Sequence, residues 1–127
     1  MPIVTRTIPT IIVENIDGKV PGSTPLPMVP NDFVIMAMFI KTKAISSVIT
    51  PPSISLGTNS TSYNNKVPLT LVPSALSVVN RILPILSVTL MTDVFIPAGA
   101  APQINIGLGA VAGTYIFDLI LIGDFIN

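Results

Sequence analysis

The side chains that could do chemistry are few and scattered along this sequence. The acidic residues are Glu14, Asp17, Asp32, Asp93, Asp118 and Asp124. Their spacing shows neither the carboxylate pair of a glycosidase nor the converging oxygen ligands of a Ca²⁺ site. The sequence has no His and no Cys, which removes the commonest general base and the thiolate ligands of metals. We therefore expect no catalytic residue, no metal and no cofactor, in a protein that is not an enzyme.

One acidic residue has an unusual setting. Asp118 interrupts the apolar run IFDLILIGDF. A buried carboxylate needs an ion-pair or hydrogen-bond partner. Asp118 could therefore meet a lysine at a subunit interface, or it could lie on the outer face of a bent strand. We favour the outer face.

Residues 51–65, PPSISLGTNSTSYNN, combine hydroxyls and amides without a charge. Such a stretch could bind a sugar, or it could simply connect two strands. Sugar sites usually contain an aromatic platform, and the sequence has no Trp and only two Tyr. The segment GLGAVAG, residues 107–113, has the wrong spacing for a phosphate-binding glycine motif and predicts a loop.

The composition points to a protein whose surface is covered by other protein. Only 9% of the 127 residues are charged, against roughly 25% in typical soluble domains. The formal net charge is zero and the basic residues form no stripe, so we expect no nucleic-acid partner. The long apolar stretches are either too short or too interrupted by polar residues and glycines for a spanning helix, so we expect no membrane.

β-Branched and alternating runs separated by Pro and Gly predict a series of short strands after residue 30. Strands are predicted over residues 33–40, 44–50, 54–57, 67–72, 86–96, 103–108 and 115–126, whereas residues 74–83 fit a helix, a loop or a strand equally well. No β-α-β alternation is present, which argues against a parallel sheet. The prediction is an all-β, jelly-roll-like antiparallel β-sandwich with an extended N-terminal arm.

The arm is predicted over residues 1–30 and the sandwich domain over residues 31–127. Six of the 13 prolines lie in residues 1–30, and they prevent a helix there. Burial of the arm's own apolar side chains does not clearly offset the entropy cost of ordering it. We therefore expect an outside surface to supply apolar contacts and a strand edge. The predicted interface residues are Ile3, Val4, Arg6, Ile8, Ile11, Ile12, Val13, Val20, Leu26, Met28 and Val29.

Residues 44–126 carry a pattern of turns and strands that resembles small β-rich virion proteins of tailed bacteriophages. The pattern consists of PSISLGT (52–58), YNN (63–65), IPAG (96–99), INI (104–106), AGT (112–114) and GDFI (123–126). The resemblance implies a capsid decoration or cement protein on the virion surface. Such a protein is a trimer that binds the major capsid protein and ties neighbouring capsomers together. The alternatives are a subunit of an extracellular filament or surface layer, and a carbohydrate-binding module.

Overall fold

The computed structural model describes residues 10–60, 62–72, 82–84 and 95–126. Within these ranges every regular element is a β-strand. The strands are β1 (Thr10–Asp17), β2 (Gly22–Pro25), β3 (Asp32–Ser46), β4 (Ser53–Gly57), β5 (Val67–Leu71), β6 (Ile82–Pro84), β7 (Phe95–Ile96), β8 (Gln103–Leu108) and β9 (Thr114–Ile126). The fold is all-β, as the sequence predicts. The described residues contain no helix long and apolar enough to cross a membrane.

The strands form two antiparallel sheets. Sheet A has the order β1-β9-β3-β6, and β7 also pairs with β3. Sheet B has the order β2-β8-β4-β5. Apolar side chains on the inner faces of both sheets form one core cluster, so the two sheets make a β-sandwich.

The connections between the strands follow a jelly-roll path. The first strand pairs with the last (β1 with β9), β2 pairs with β8, β3 pairs with β6 and β7, and β4 pairs with β5. These pairs describe one long antiparallel ribbon. Folding the ribbon over itself lets β9 pair with β3 and β8 pair with β4, which completes the two sheets. Such a rolled ribbon is the jelly-roll arrangement.

Strand alternation explains which side chains form the core. In β9, Phe117, Leu119 and Leu121 are fully buried, while Ile120 and Ile122, which alternate with them, are half-buried. Sheet B contributes Ile54, Leu56, Ile104 and Ile106 to the opposite side of the core. Aromatic edge-to-face contacts join Phe33 to Phe125 at 5.4 Å and Tyr115 to Phe117 at 6.0 Å between ring centroids.

The structure corrects the predicted boundary between an arm and a sandwich domain. β1 pairs with β9 along most of its length, with a register shift between Val13 and Ile16. β2 pairs with β8. The outside surface that these residues need is therefore supplied by later strands of the same chain. Residues 10–30 belong to the sandwich, and the prediction that they form an arm is wrong. Residues 1–9 lie outside the described residues.

Several predicted strands are confirmed. β8 has the predicted limits, and β4, β5 and β9 differ from the predicted limits by one residue. The runs 33–40 and 44–50 are largely one strand, β3, because β9 pairs with it from Asp32 to Ser46. The segment 74–83, which fitted three conformations, lies mostly outside the described residues.

Candidate functional site

Three of the described carboxylates, Asp17, Asp32 and Asp118, accept hydrogen bonds from backbone N–H groups. Asp17 accepts a hydrogen bond from the Lys19 N–H at 3.0 Å. Asp32 accepts one from the Ala98 N–H at 2.8 Å. In the described ranges, no three His, Cys, Asp or Glu residues come together in a group that could hold a metal ion. Asp93 lies outside those ranges.

Asp118 lies on the outer face of sheet A, between irregular segments of β1 and β3. It is 7% exposed and forms a 3.5 Å ion pair with Lys43. Its Oδ1 accepts a 2.9 Å hydrogen bond from the N–H of Asn15. Lys43 also donates to the side-chain oxygen of Asn15 at 3.2 Å. The sequence left two positions open for Asp118, on the outer face or beside a lysine at a subunit interface. The structure places it on the outer face, and its lysine partner belongs to the same chain.

Asn15 and Lys43 are brought to Asp118 by irregular pairing. The register of β1 against β9 shifts between Val13 and Ile16, and that of β3 against β9 shifts between Thr42 and Ala44. Asn15 has a φ of 58°, a left-handed conformation that an Asn tolerates better than most residues. The register shifts in β1 and β3 therefore place Asn15 and Lys43 around the Asp118 carboxylate of β9, the strand between them.

The rest of the outer face of sheet A is largely apolar. Ile12, Ile120 and Phe39 stand side by side on three neighbouring strands, because Ile12 pairs with Ile120 and Ile120 pairs with Phe39. Ile122 and Ala37 form the next pair along the strands. Met36, at the register shift in β3, is 67% exposed, and Ile12 is 54% exposed. We call these residues the apolar face: Ile12, Met36, Ala37, Phe39, Ile120 and Ile122.

The outer face of sheet B has a different chemistry. In β8, Gln103 and Asn105 alternate with the buried Ile104 and Ile106. Asn105 is flanked by Ser23 on β2 and Ser55 on β4. The centre of this face is therefore polar and uncharged. Exposed leucines lie toward its β5 side and at the end of β8: Leu69, Leu71 and Leu108.

The loop of residues 58–65 connects β4 to β5 and is held by its own amides. The Asn59 side chain accepts hydrogen bonds from the N–H groups of Asn64 at 2.9 Å and Asn65 at 3.2 Å. Its Nδ2 donates to the side-chain oxygen of Asn64 at 3.0 Å. Asn65 closes the loop, because its Oδ1 accepts from the Thr58 N–H at 2.7 Å and its Nδ2 donates to Thr58 Oγ1 at 3.1 Å.

A cleft of about 290 Å³ opens between this loop and the outer face of sheet B. It is lined by Ser55, Ser62, Asn64, Leu69, Asn105 and Gly107. The sequence singled out residues 51–65 as polar and predicted a strand over residues 103–108, but it did not bring Asn105 of that strand to the polar segment. Strand alternation within residues 103–108 indicates on which face Asn105 lies. The position of the loop, in contrast, depends on tertiary contacts.

Another cleft, of about 310 Å³, lies where β1 turns into β2. Its lining includes Glu14, Asp17, Val20 and Thr24. It adjoins β1 and β2, which are the outermost described strands of the two sheets, and the edge of a sheet is where a further strand can add. A register shift in β1, Pro21 directly before β2 and Pro25 at the end of β2 make these edges poor templates for strand addition.

A solved structure shares this fold. The chain is similar to a chain of the cyanophage Pam1 capsid asymmetric unit, with a TM-score of 0.59 and 8% sequence identity. The match covers 100% of this chain and 94% of that chain. No protein-family model matches the sequence, and no curated protein matches it. The low identity means that the similarity establishes the fold alone.

The predicted interface residues that the structure describes fall into three groups. Leu26 and Val29 are 4% and 2% exposed and belong to the core, so the prediction that they contact a partner is wrong. Ile11 and Val13 are half-buried against the same core. Ile12, Val20 and Met28 are 54%, 60% and 64% exposed, and a partner can reach them. The others lie outside the described residues: Ile3, Val4, Arg6 and Ile8.

Proposed function

We propose that this protein is a non-enzymatic structural protein of a virion, in which it decorates and cements the capsid. The observation that carries the proposal is the jelly-roll similarity to a chain of a cyanophage capsid asymmetric unit over the whole length of this chain. The fold alone does not specify a function, so the chemistry of the surface has to support the role.

The apolar face supports a role in assembly. A sheet face covered with Ile, Phe, Met and Ala is costly to leave in water, and contiguous apolar patches mark interaction surfaces. Lys43 and Asp118, which border it, form an ion pair with each other, and Lys41 is paired with Asp118 across the strands, so charges of both signs meet at this border. The low share of charged residues in the sequence agrees with a protein that other subunits cover.

The proposed partner of the apolar face is the major capsid protein. In this arrangement the protein lies on the outer surface of the shell and ties neighbouring capsomers together, and it assembles as a trimer. The work is done by linkage, since a protein that binds only the assembled shell stabilises the assembled state. No cofactor takes part.

Particle stability tests the proposal. Particles that contain the protein should release their genome at a higher temperature, and survive osmotic shock better, than particles from which it has been removed. Adding the purified protein back should restore both properties. Equal stability with and without the protein would contradict the cement role.

The predicted arm can be tested only in its first part. Deleting residues 1–30 would remove β1 and β2, so loss of binding would report loss of the fold. Deleting residues 1–9 leaves the first described strand intact. If these residues clamp an adjacent shell subunit, the truncated protein should fold normally but protect particles less well than the full chain.

A further inference from the structure

The cleft on the outer face of sheet B has a polar lining without a charged residue. Its floor and walls are formed by hydroxyl, amide and carbonyl groups and one leucine: Ser55, Ser62, Asn64, Leu69, Asn105 and Gly107. Its volume of about 290 Å³ lies near the lower end of the range of small-molecule sites. The lack of charge disfavours a phosphate or carboxylate ligand, because those anions are normally bound by Arg, Lys or a helix N-terminus.

The floor of the cleft keeps hydrogen-bonding capacity for a ligand. Ser55 and Asn105 are directly paired on adjacent strands. The Ser55 hydroxyl donates to the carbonyl of Ser62 at 3.3 Å, and Asn105 Nδ2 reaches the same carbonyl at 3.5 Å. Within the described part of the chain no group donates to the Asn105 side-chain oxygen. The floor therefore offers the amide oxygen and a second amide N–H of Asn105, while Ser55, which is 1% exposed, lies beneath it and is bonded to the Ser62 carbonyl.

The roof of the cleft is fixed before any ligand arrives. Asn59 holds the backbone of Asn64 and occupies the side-chain oxygen of Asn64. The Nδ2 group of Asn64 then remains as a donor at the edge of the cleft. A loop that is already ordered loses little entropy when it binds a ligand.

Gly107 leaves the cleft open. It is an extra residue in β8, because Ser53 pairs with Leu108 and the next residue, Ile54, pairs with Ile106. A Cβ atom at this position would lie 2.6 Å from Cδ1 of Leu69. Any side chain at position 107 would therefore overlap Leu69, so the glycine is what allows Leu69 to lie against this strand and line the cleft.

We propose that this cleft binds a neutral sugar residue of a glycan. Adjacent donors and acceptors match the neighbouring hydroxyls of a pyranose, each of which can donate and accept. Leu69, which is 47% exposed, supplies an apolar wall for the C–H face of the ring. This inference goes beyond the capsid role and does not depend on it.

The test is a titration of the full-length protein with free neutral sugars, followed by two-dimensional NMR of its backbone amides. The probes are glucose, galactose, mannose, N-acetylglucosamine and N-acetylgalactosamine. At least one probe should give saturable shifts centred on the amides of Ser55, Ser62 and Asn105. Asn105→Ala should weaken that binding about tenfold, the loss expected for one or two neutral hydrogen bonds.

Two further variants make the test specific. Gly107→Val fills the cleft without removing a polar group and should abolish binding. Gln103→Ala changes a residue on the same face of the same strand, outside the cleft lining, and should bind like the wild type. Amide spectra without sugar show which variants are folded, and Ser55→Ala replaces Gly107→Val if the latter does not fold. The proposal is overturned if no probe gives saturable shifts, or if the shifts persist in Asn105→Ala and in the cleft-blocking variant.

Discussion

Tyr115 carries a buried hydroxyl that has no hydrogen-bond partner among the described residues. The side chain is 0% exposed and its ring packs edge-to-face against Phe117. A buried polar group without a partner costs about 1–3 kcal/mol. Tyr115→Phe keeps the ring and removes the hydroxyl, so we expect an unchanged or larger free energy of unfolding in urea. A loss of more than about 1 kcal/mol would mean that the hydroxyl has a partner.

The same residue predicts how stability depends on alkaline pH. Burial raises the pKa of Tyr115 to about 12 from an ordinary value of 10.0. Above pH 10 the unfolded chain loses this proton while the folded chain retains it, so stability should fall between about pH 10 and 12. The fall should be smaller in Tyr115→Phe, and the difference between the two unfolding free energies at each pH isolates the effect of Tyr115. Parallel curves would contradict the prediction.

Asp118 matters more through the hydrogen bond it accepts than through its charge. Asp118→Ala removes the acceptor of the Asn15 N–H in the irregular part of β1, at an expected cost of about 1–3 kcal/mol. Lys43→Met removes the cation but keeps that hydrogen bond. Because Lys43 is 34% exposed, we expect this substitution to cost about 1 kcal/mol or less. Measuring the free energy of unfolding of both variants at neutral pH shows which one loses more stability. A larger loss for Lys43→Met than for Asp118→Ala would contradict the prediction.

At the scale of the elements, the turn into β9 depends on one glycine. Gly113 has a φ of 65°, and a Cβ atom there would overlap the carbonyl oxygen of Ser46. Gly99 also has a positive φ, but its Cβ would meet no atom within 4 Å. Gly99→Ala should therefore cost about 1–2 kcal/mol of conformational strain, and Gly113→Ala should cost clearly more. Thermal unfolding of the two variants gives the comparison, and equal losses would show that the backbone near Ser46 can move away.

The loop of residues 58–65 should be ordered by Asn59. Asn59→Ala removes two acceptor bonds and one donor bond within the loop. The amides of Asn64 and Asn65 should then exchange their hydrogens at least about tenfold faster. The amides of the core strands should keep their protection, because the loop lies outside the core. Serine at position 60 offers a control, since Ser60 is exposed and its replacement by Ala should leave the loop amides unchanged.

Local patterns in the sequence predict where many of the strands lie, but they do not predict which strands pair with each other. The alternation in β8 can be read from neighbouring residues. The pairing of β1 with β9 joins residues about a hundred positions apart, and nothing local specifies it. The arm prediction is wrong for this reason, because β9 of the same chain supplies the strand edge that was expected of another protein. The partners of Asp118 depend on two register shifts, which are also decided by tertiary packing.

At the scale of the whole molecule, the two outer faces of the sandwich are suited to different surroundings. The apolar face on sheet A can lose contact with water at little cost, because its members are Ile, Phe, Met and Ala. The centre of the sheet B face carries Ser23 and Asn105, whose polar groups would need partners if they were buried. On a virion, the proposed capsid role and the proposed sugar cleft therefore favour one orientation, with sheet A toward other protein subunits and sheet B toward solvent.

This orientation gives a prediction with a matched control. Ile12→Lys places a charge on the β1 side of the apolar face, beside Ile120, where a protein contact would have to desolvate it at a cost of several kcal/mol. Leu108→Lys makes the same change at a similarly exposed leucine on the sheet B side, since the two residues are 54% and 62% exposed. Both variants should fold, because neither residue belongs to the core. In a sedimentation assay with protein-depleted particles, Ile12→Lys should bind weakly and Leu108→Lys should bind like the wild type. The reverse result would place sheet B against the shell, and equal binding by both variants would remove the apolar face from the proposed contact.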